Sequence, residues 1–408
     1  MNSPDRKNRT SVKSPAFKRA GPWVAVCLVA ATFGWIWVTP VTIVRYPHNG
    51  EWLASGYRLK EDTFDNPRLR LLRSREKLAD VMAPGHSQFE KISLLRKWAH
   101  DQWSFNNLPF YYPPWDAVEI LDLEREIGNK GFCAQYSIVF LQACQAMGIH
   151  ARYIDLPGHF VVGVWSDEFN RWVVMDPLND CYYEEAGLPL TGRRLCEAYW
   201  KGEVGGIFRV NSNGMRVPMS REDLKVFRMY SIVTEADQLT RPVDVVINNG
   251  PVRRLAHETD FRRYPIVGRD RLSFTPTFLS WRGAPAKEFF PGKVQSQDSD
   301  DFAYRMNQTL IFVARQDKDL GVVKLILWAE NEPSFKEFQF EDIDGSWKVC
   351  EREIVWPLEP GINRFRVRTR TTFGWLTYPS ECDVFYKPAW WGIRSLQPAA
   401  SRVPSYGP

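Results

Sequence analysis

The hydrophobic positions change period along the chain, and the changes divide it into segments. Ala20 to Val44 carries no charged residue and is apolar almost throughout. As a helix, that length crosses roughly 30 Å of hydrocarbon. Residues 45–66 are polar and glycine-containing, the texture of a linker. Helical spacing follows over Pro67–Met82 and Ser87–Trp103, the second with Phe89, Ile92, Leu95, Trp98 and Ala99 in register, and Ala83-Pro84-Gly85 separates the two. The stretch from Phe105 to Trp115 is aromatic and proline-rich, which predicts a loop. It either packs on the core or lines a groove.

A short helix is predicted over Ala117–Leu121, and Gly128-Asn129-Lys130-Gly131 turns the chain into an apolar helix that opens at Cys133 and ends at Gly148. Three strand-like runs come next, Ala151–Leu156, His159–Trp165 and Arg171–Met175, and helical patterning returns over Gly192–Trp200 and Arg221–Ile232. Residues 240–300 contain only short, mixed apolar runs. A polar stretch, Gln295–Asp301, precedes a different texture from residue 304: short, alternating strands at Leu310, Val322, Glu337, Trp347, Asn363 and Cys382 with turn signals between them. That spacing predicts a small antiparallel sandwich.

The chain has 408 residues and a formal charge of +5, and the six basic residues against one acidic residue in positions 1–19 account for all of it. The remainder is neutral, which leaves no basic face for nucleic acid. A basic tail ahead of a charge-free segment orients that segment with its N-terminus in the cytoplasm, and Trp23, Trp35 and Trp37 suit the two interfaces. Bulky residues over Thr32–Trp37 disfavour a cleavage site. A single-pass inner-membrane protein is therefore expected, its bulk periplasmic or extracellular and its partner the lipid bilayer. In such a compartment Cys181 with Cys196, and Cys350 with Cys382, are possible disulfides, whereas Cys144 reads as a buried thiol. No zinc spacing is present, so no metal is expected.

The chemistry concentrates in residues 131–176. Cys133 occupies the first turn of its helix, where unpaired amides favour an anion, and its own amide is a candidate oxyanion donor. His159 opens one strand-like run and Asp176 follows another, and an antiparallel hairpin of the two would relate them by its register. If paired numbers sum to 335 the two residues are opposite, if 337 they are diagonal on one face, and an even sum separates them. A thiol, an imidazole and a carboxylate so ordered are the components of a cysteine nucleophile with its base and orienting acid.

This text resembles the transglutaminase-like superfamily. The matching residues are Gly131-Phe132-Cys133 with Ser137 and Phe140-Leu141, then Ala146 to Tyr153, Gly158-His159 to Trp165, and Trp172 to Asp176-Pro177. The resemblance implies an α+β fold with a papain-like core, catalytic Cys133, His159 and Asp176, and acyl transfer at an amide to water or an amine without a cofactor. Trp103, Gln102 and Trp115 are the candidates for an upstream oxyanion-hole side chain, and no calcium site is matched. Separately, Gly361–Val367 followed by Phe373-Gly374 and Tyr386 resembles the late strands of immunoglobulin-like modules.

The expected organisation is a basic tail at 1–19, a transmembrane helix at 20–44, a linker at 45–66, a transglutaminase-like domain at 67–235, a connecting segment at 236–303, an immunoglobulin-like β-sandwich at 304–390 and a polar tail at 391–408. The expected activity is peptide or amide hydrolysis, or transamidation, on an amide-bearing substrate of a bacterial cell envelope. The competing expectation is a non-catalytic, membrane-tethered scaffold that binds envelope or exopolysaccharide assembly proteins.

Overall fold

The computed structural model describes residues 39–48, 64–106, 113, 115–228, 230–233, 271–274, 294–296 and 305–389. Most of the predicted membrane segment lies outside them, as do the tail at 391–408 and most of the aromatic loop. Among the described residues no helix is long and apolar enough to cross a membrane.

Five helices lead into the core. In α1 (Pro67–Arg75), Asn66 caps Arg68 N and Pro67 supplies the first-turn residue. The single helix expected over Pro67–Met82 is interrupted, because Lys77 adopts φ 50° before α2 (Leu78–Met82). Ser87 and Glu90 form a reciprocal capping box at the start of α3 (Gln88–His100). Asp116 caps α4 (Ala117–Ile127), which runs six residues past its predicted end to Gly128 at φ 65°. At the centre lies α5 (Cys133–Ala146), all of whose residues are buried. A helix buried on every face is one that other elements surround.

The core sheet is built on β2 (Ala151–Leu156), β3 (His159–Ser166), β4 (Arg171–Asp176) and β5 (Cys181–Glu185), with a short β6 (Leu188–Pro189) beside β5. After α6 (Gly192–Lys201), β7 (Ile207–Asn211) and β8 (Arg216–Pro218) extend one edge. At the other edge, β9 (Tyr230–Val233) pairs with β2, and β10 (Arg271–Phe274) and β11 (Val294–Ser296) follow. Side-chain alternation sends Tyr153, Val162, Val164 and Met175 towards the α5 side, and Ile154, Val161 and Val174 towards the cluster formed with Leu195, Leu224 and Phe227. Both faces of the sheet are thus covered. The helix expected over Arg221–Ile232 is instead a 3-10 turn, Asp223–Arg228, followed by strand β9. Ile232 pairs with Ile154 across the sheet, so tertiary pairing outweighs the local helical pattern.

The C-terminal region consists of two antiparallel sheets. One holds β12 (Gln308–Asp317), β13 (Val322–Glu330) and β16 (Glu353–Pro357). The other contains β14 (Phe335–Glu341), β15 (Trp347–Cys350), β17 (Gly361–Thr371), β18 (Ser380–Lys387) and an N-terminal strand, β1 (Val41–His48), in the order β1-β18-β17-β14-β15. Leu325, Leu327 and Trp356 from one sheet meet Phe365, Val367 and Val384 from the other in a shared core.

Strand β1 corrects two predicted boundaries. Val41–Val44, assigned to the membrane helix, and residues 45–48, assigned to the linker, pair with β18 instead, beginning at Val41 opposite Lys387. The β-branched residues of Val41-Thr42-Ile43-Val44 suit an edge strand equally well, and an available sheet edge decides the matter. The chain therefore visits the C-terminal unit before it enters the helical core.

The two units are joined through buried polar contacts. Asn307 donates from Nδ2 to Asp167 at 3.1 Å, and its Oδ1 lies 3.0 Å from His150 Nε2. Gln88 and Trp165 also donate to the Asp167 carboxylate. Burial raises the Asp167 carboxyl to about 6 and lowers the His150 imidazole to about 4. At the C-terminal end of α5, Trp375 Nε1 donates to Met147 O at 2.9 Å.

All six described cysteines are free thiols. Three strand steps separate Cys350 on β15 from Cys382 on β18, about 14 Å at normal spacing, too far for a disulfide. Cys181 and Cys196 are buried in one hydrophobic cluster without a bond between them. Burial raises the thiols of Cys144, Cys181, Cys196, Cys350 and Cys382.

Candidate active site

Three local devices bring Cys133, His159 and Asp176 together. The first fixes the loop ahead of the thiol. Gly131 O accepts from Asn106 N at 3.0 Å and from Trp103 Nε1 at 3.3 Å. A side chain at position 131 would place its Cβ 2.5 Å from Gln135 Cβ, so this approach needs glycine. Gln135 Oε1 accepts from Phe132 N at 3.1 Å, which orders the start of α5. Cys133 is then the first helical residue, where the amide has no intrahelical acceptor, and it is 9% exposed.

The second device is the pair of strands after α5. Leu156 pairs with His159 across the two-residue turn Pro157-Gly158, and Gly158 supplies the φ of +79°. His159 is thereby the first residue of β3. Partners on β3 and β4 sum to 337, from Val162 with Met175 to Ser166 with Arg171, leaving a four-residue turn at 167–170. This is the diagonal register, and it puts His159 and Asp176 on one face.

The third device fixes the distance between helix and sheet. Ser137, one turn along α5 from Cys133, donates from Oγ to Phe160 O at 3.1 Å. Because Phe160 follows His159, this bond holds the imidazole over the start of the helix.

His159 Nε2 lies 2.7 Å from Asp176 Oδ2, and the ring also contacts Cys133. With Nε2 committed to the carboxylate, Nδ1 remains to exchange a proton with sulfur. Burial lowers the imidazole, but the charge and hydrogen bond of Asp176, followed by the contact with Cys133, raise it to about 10. Asp176 is fully buried, which pushes its carboxyl up, yet His159 and Asn179 outweigh that and hold it below its ordinary range. Asn179 donates from its backbone N at 3.1 Å and from Nδ2 at 2.8 Å to the two oxygens.

Asn179 is absent from the sequence-based set, although Asp176-Pro177-Leu178-Asn179 carries its signal, an aspartate that accepts from the backbone N–H three residues ahead. Two of the three oxyanion candidates donate elsewhere: Trp103 Nε1 to Gly131 O and Gln102 Nε2 to Trp98 O at 2.8 Å. The Trp115 ring packs tilted against Tyr153 at 4.5 Å between ring centres. The Cys133 amide keeps the position expected of it. Among the described residues no group of three His, Cys, Asp or Glu is placed to hold a metal ion.

Residues 75–177 match the family model of the transglutaminase-like superfamily, a span that includes all three residues. The chain therefore contains a transglutaminase-like core, and the match lies within the 67–235 expected for that domain. No curated protein matches the chain.

Proposed function

We propose that this core is a cysteine acyltransferase or amidase working through Cys133, His159 and Asp176. The observation that carries the reading is the imidazole of His159, which touches the Cys133 thiol and lies 2.7 Å from a buried carboxylate. In this reading the thiolate attacks the amide carbonyl while the Cys133 amide donates to the developing oxyanion. Protonated His159 gives its proton to the departing amine as the tetrahedral intermediate collapses to a thioester. The imidazole then takes a proton from water or an acceptor amine, which attacks the thioester and releases the thiol. Asp176 keeps the ring oriented throughout and stabilises its charged form.

The enzyme acts on a peptide or other amide in a bacterial cell envelope, anchored by the apolar segment before Thr39. Support for the anchor comes from the charge-free sequence and the basic tail ahead of it. The C-terminal sheets are read as an immunoglobulin-like support for the core. Its Trp375 holds the far end of the helix that carries the thiol.

The test is a thiol-reactive acyl probe applied to the full chain, with adducts mapped by mass spectrometry. Cys133 is expected to label first, and His159→Ala to reduce its rate at least a hundredfold. A Cys133→Ala chain that retains full biological function with the fold intact would assign the role to a scaffold.

A further inference from the structure

A cleft of about 720 Å³ opens where β1, the turn between β3 and β4, and the start of β12 meet. Its volume falls in the range of ligand sites, and the boundary between two structural units is where such sites concentrate. The triad is elsewhere. From His159 to Ser166 is seven strand steps, about 23 Å, and the cleft lies at the Ser166 end, lined by Phe169, Asn170 and Arg171.

The wall contains Arg171 and Arg305 and no carboxylate. Several arginines elsewhere are ion-paired, among them Arg96 with Asp180, Arg194 with Glu185, Arg364 with Asp383, and Arg366 with Glu341, while others such as Arg73 and Arg352 lie over the rings of Phe373 and Trp328. Among the described residues Arg171 and Arg305 have no acidic partner. Two unmatched guanidinium groups in one concavity attract an anion, and their planar donors suit carboxylate or phosphate.

Three aromatic side chains at the same cleft are open to solvent: Tyr46 at 42%, Phe312 at 49% and Tyr378 at 43% exposure. Exposed rings beside polar groups present flat apolar surfaces with hydrogen-bonding edges, more than a small inorganic ion can use. Gln308, 5% exposed, also forms part of the wall, and neither end of its amide has a hydrogen-bond partner. Native interiors seldom leave such a group unsatisfied, and a ligand bearing hydroxyl groups offers it both a donor and an acceptor.

We propose that this cleft binds an anionic saccharide, holding a segment of acidic polymer at a site separate from the thiol. The inference does not depend on acyl transfer and would hold for an inactive triad.

Binding is measured by calorimetry on the full chain in mild detergent, with four probes: hexagalacturonate, a phosphomannan oligosaccharide, maltohexaose and hexaglutamate. At least one of the first two is expected to bind, and which one does identifies carboxylate or phosphate as the recognised group. Maltohexaose is expected to bind at least tenfold more weakly. The combined change Arg171→Gln and Arg305→Gln should weaken the anionic probe at least tenfold, as should raised salt. Tyr378→Ala should weaken it independently, and Cys133 labelling should stay within twofold of the parent in each variant, showing that the core is intact. The proposal fails if neither anionic saccharide binds, if maltohexaose or hexaglutamate binds as well as they do, or if the arginine variant binds like the parent.

Discussion

Ser137 Oγ donates to the carbonyl of Phe160 at 3.1 Å, one turn after Cys133 and one residue after His159. The bond ties the helix that carries the thiol to the strand that carries the imidazole. Ser137 is fully buried and its bond to Phe160 O is partly so, and Ser137→Ala removes a hydrogen bond worth about 0.5–1.5 kcal/mol. The expected result is a small fall in the urea midpoint and a larger fall in the rate of Cys133 labelling. A labelling rate unchanged by the substitution would show that packing alone sets the spacing.

The ion pair of His159 and Asp176 makes stability depend on pH in a defined direction. His159 is raised from 6.5 to about 10, so its contribution is complete below pH 6.5 and disappears as pH rises through 10. Asp176 is lowered from 3.8, so its contribution is complete above that value and is lost as pH falls through its folded value. The pair therefore supports the fold most fully between about pH 4 and 6.5. Above that window one proton should make stability fall by up to about 1.4 kcal/mol per pH unit. In Asp176→Asn the ring loses its partner, burial dominates, and this alkaline loss should vanish. Urea unfolding of both proteins at pH 6, 8 and 9.5 measures the difference, and parallel curves would refute the pairing.

How much of this site the sequence discloses depends on how local each determinant is. The Cys133 helix, the strands beginning at His159 and Arg171, and the shared face of His159 and Asp176 follow from periods of a few residues. The register was confined to two choices that keep them together, and the diagonal one occurs. Contacts between distant segments were beyond that reach. Nothing near Val41 announces that it pairs with Lys387, and the edge strand was absorbed into a membrane helix because its residues are apolar in either setting. Ile232 shows the same effect, since its strand is fixed by pairing with Ile154 on one side and Leu272 on the other. The indole of Trp103 was a candidate oxyanion donor by residue type, and only the fold shows that it holds Gly131 O.

Asn179 is an exposed residue whose side chain reaches a buried carboxylate, donating 2.8 Å to the oxygen that also faces His159. Asn179→Ala removes that donor and keeps the backbone N–H at 3.1 Å. Loss of a hydrogen bond to a charged group, roughly 1.5–3 kcal/mol, translates into at least a tenfold fall in labelling rate if the bond serves orientation. Global stability should change little beyond that of the local turn. Asn179→Asp offers a sharper check, because a second carboxylate beside Asp176 repels it and should lower the rate further than alanine does. Equal rates in parent and alanine variant would remove Asn179 from the positioning set.

Gly148 joins the helix of the nucleophile to the C-terminal unit. Its φ is +71°, and a Cβ at this position would lie 2.3 Å from the ring of Phe373. Gly148→Ala thus meets two separate penalties, roughly 1 kcal/mol for a left-handed residue with a side chain and about 1–3 kcal/mol for overpacking. The second depends on Phe373 and the first does not. In a Phe373→Ala background the same glycine substitution should therefore cost only the conformational part, about 1 kcal/mol. A double-mutant cycle in urea separates the two, with a coupling of at least 1 kcal/mol expected. Additive effects would mean that Phe373 yields freely. Coupling would instead tie the stability of the far end of the Cys133 helix to a residue more than two hundred positions later in the chain.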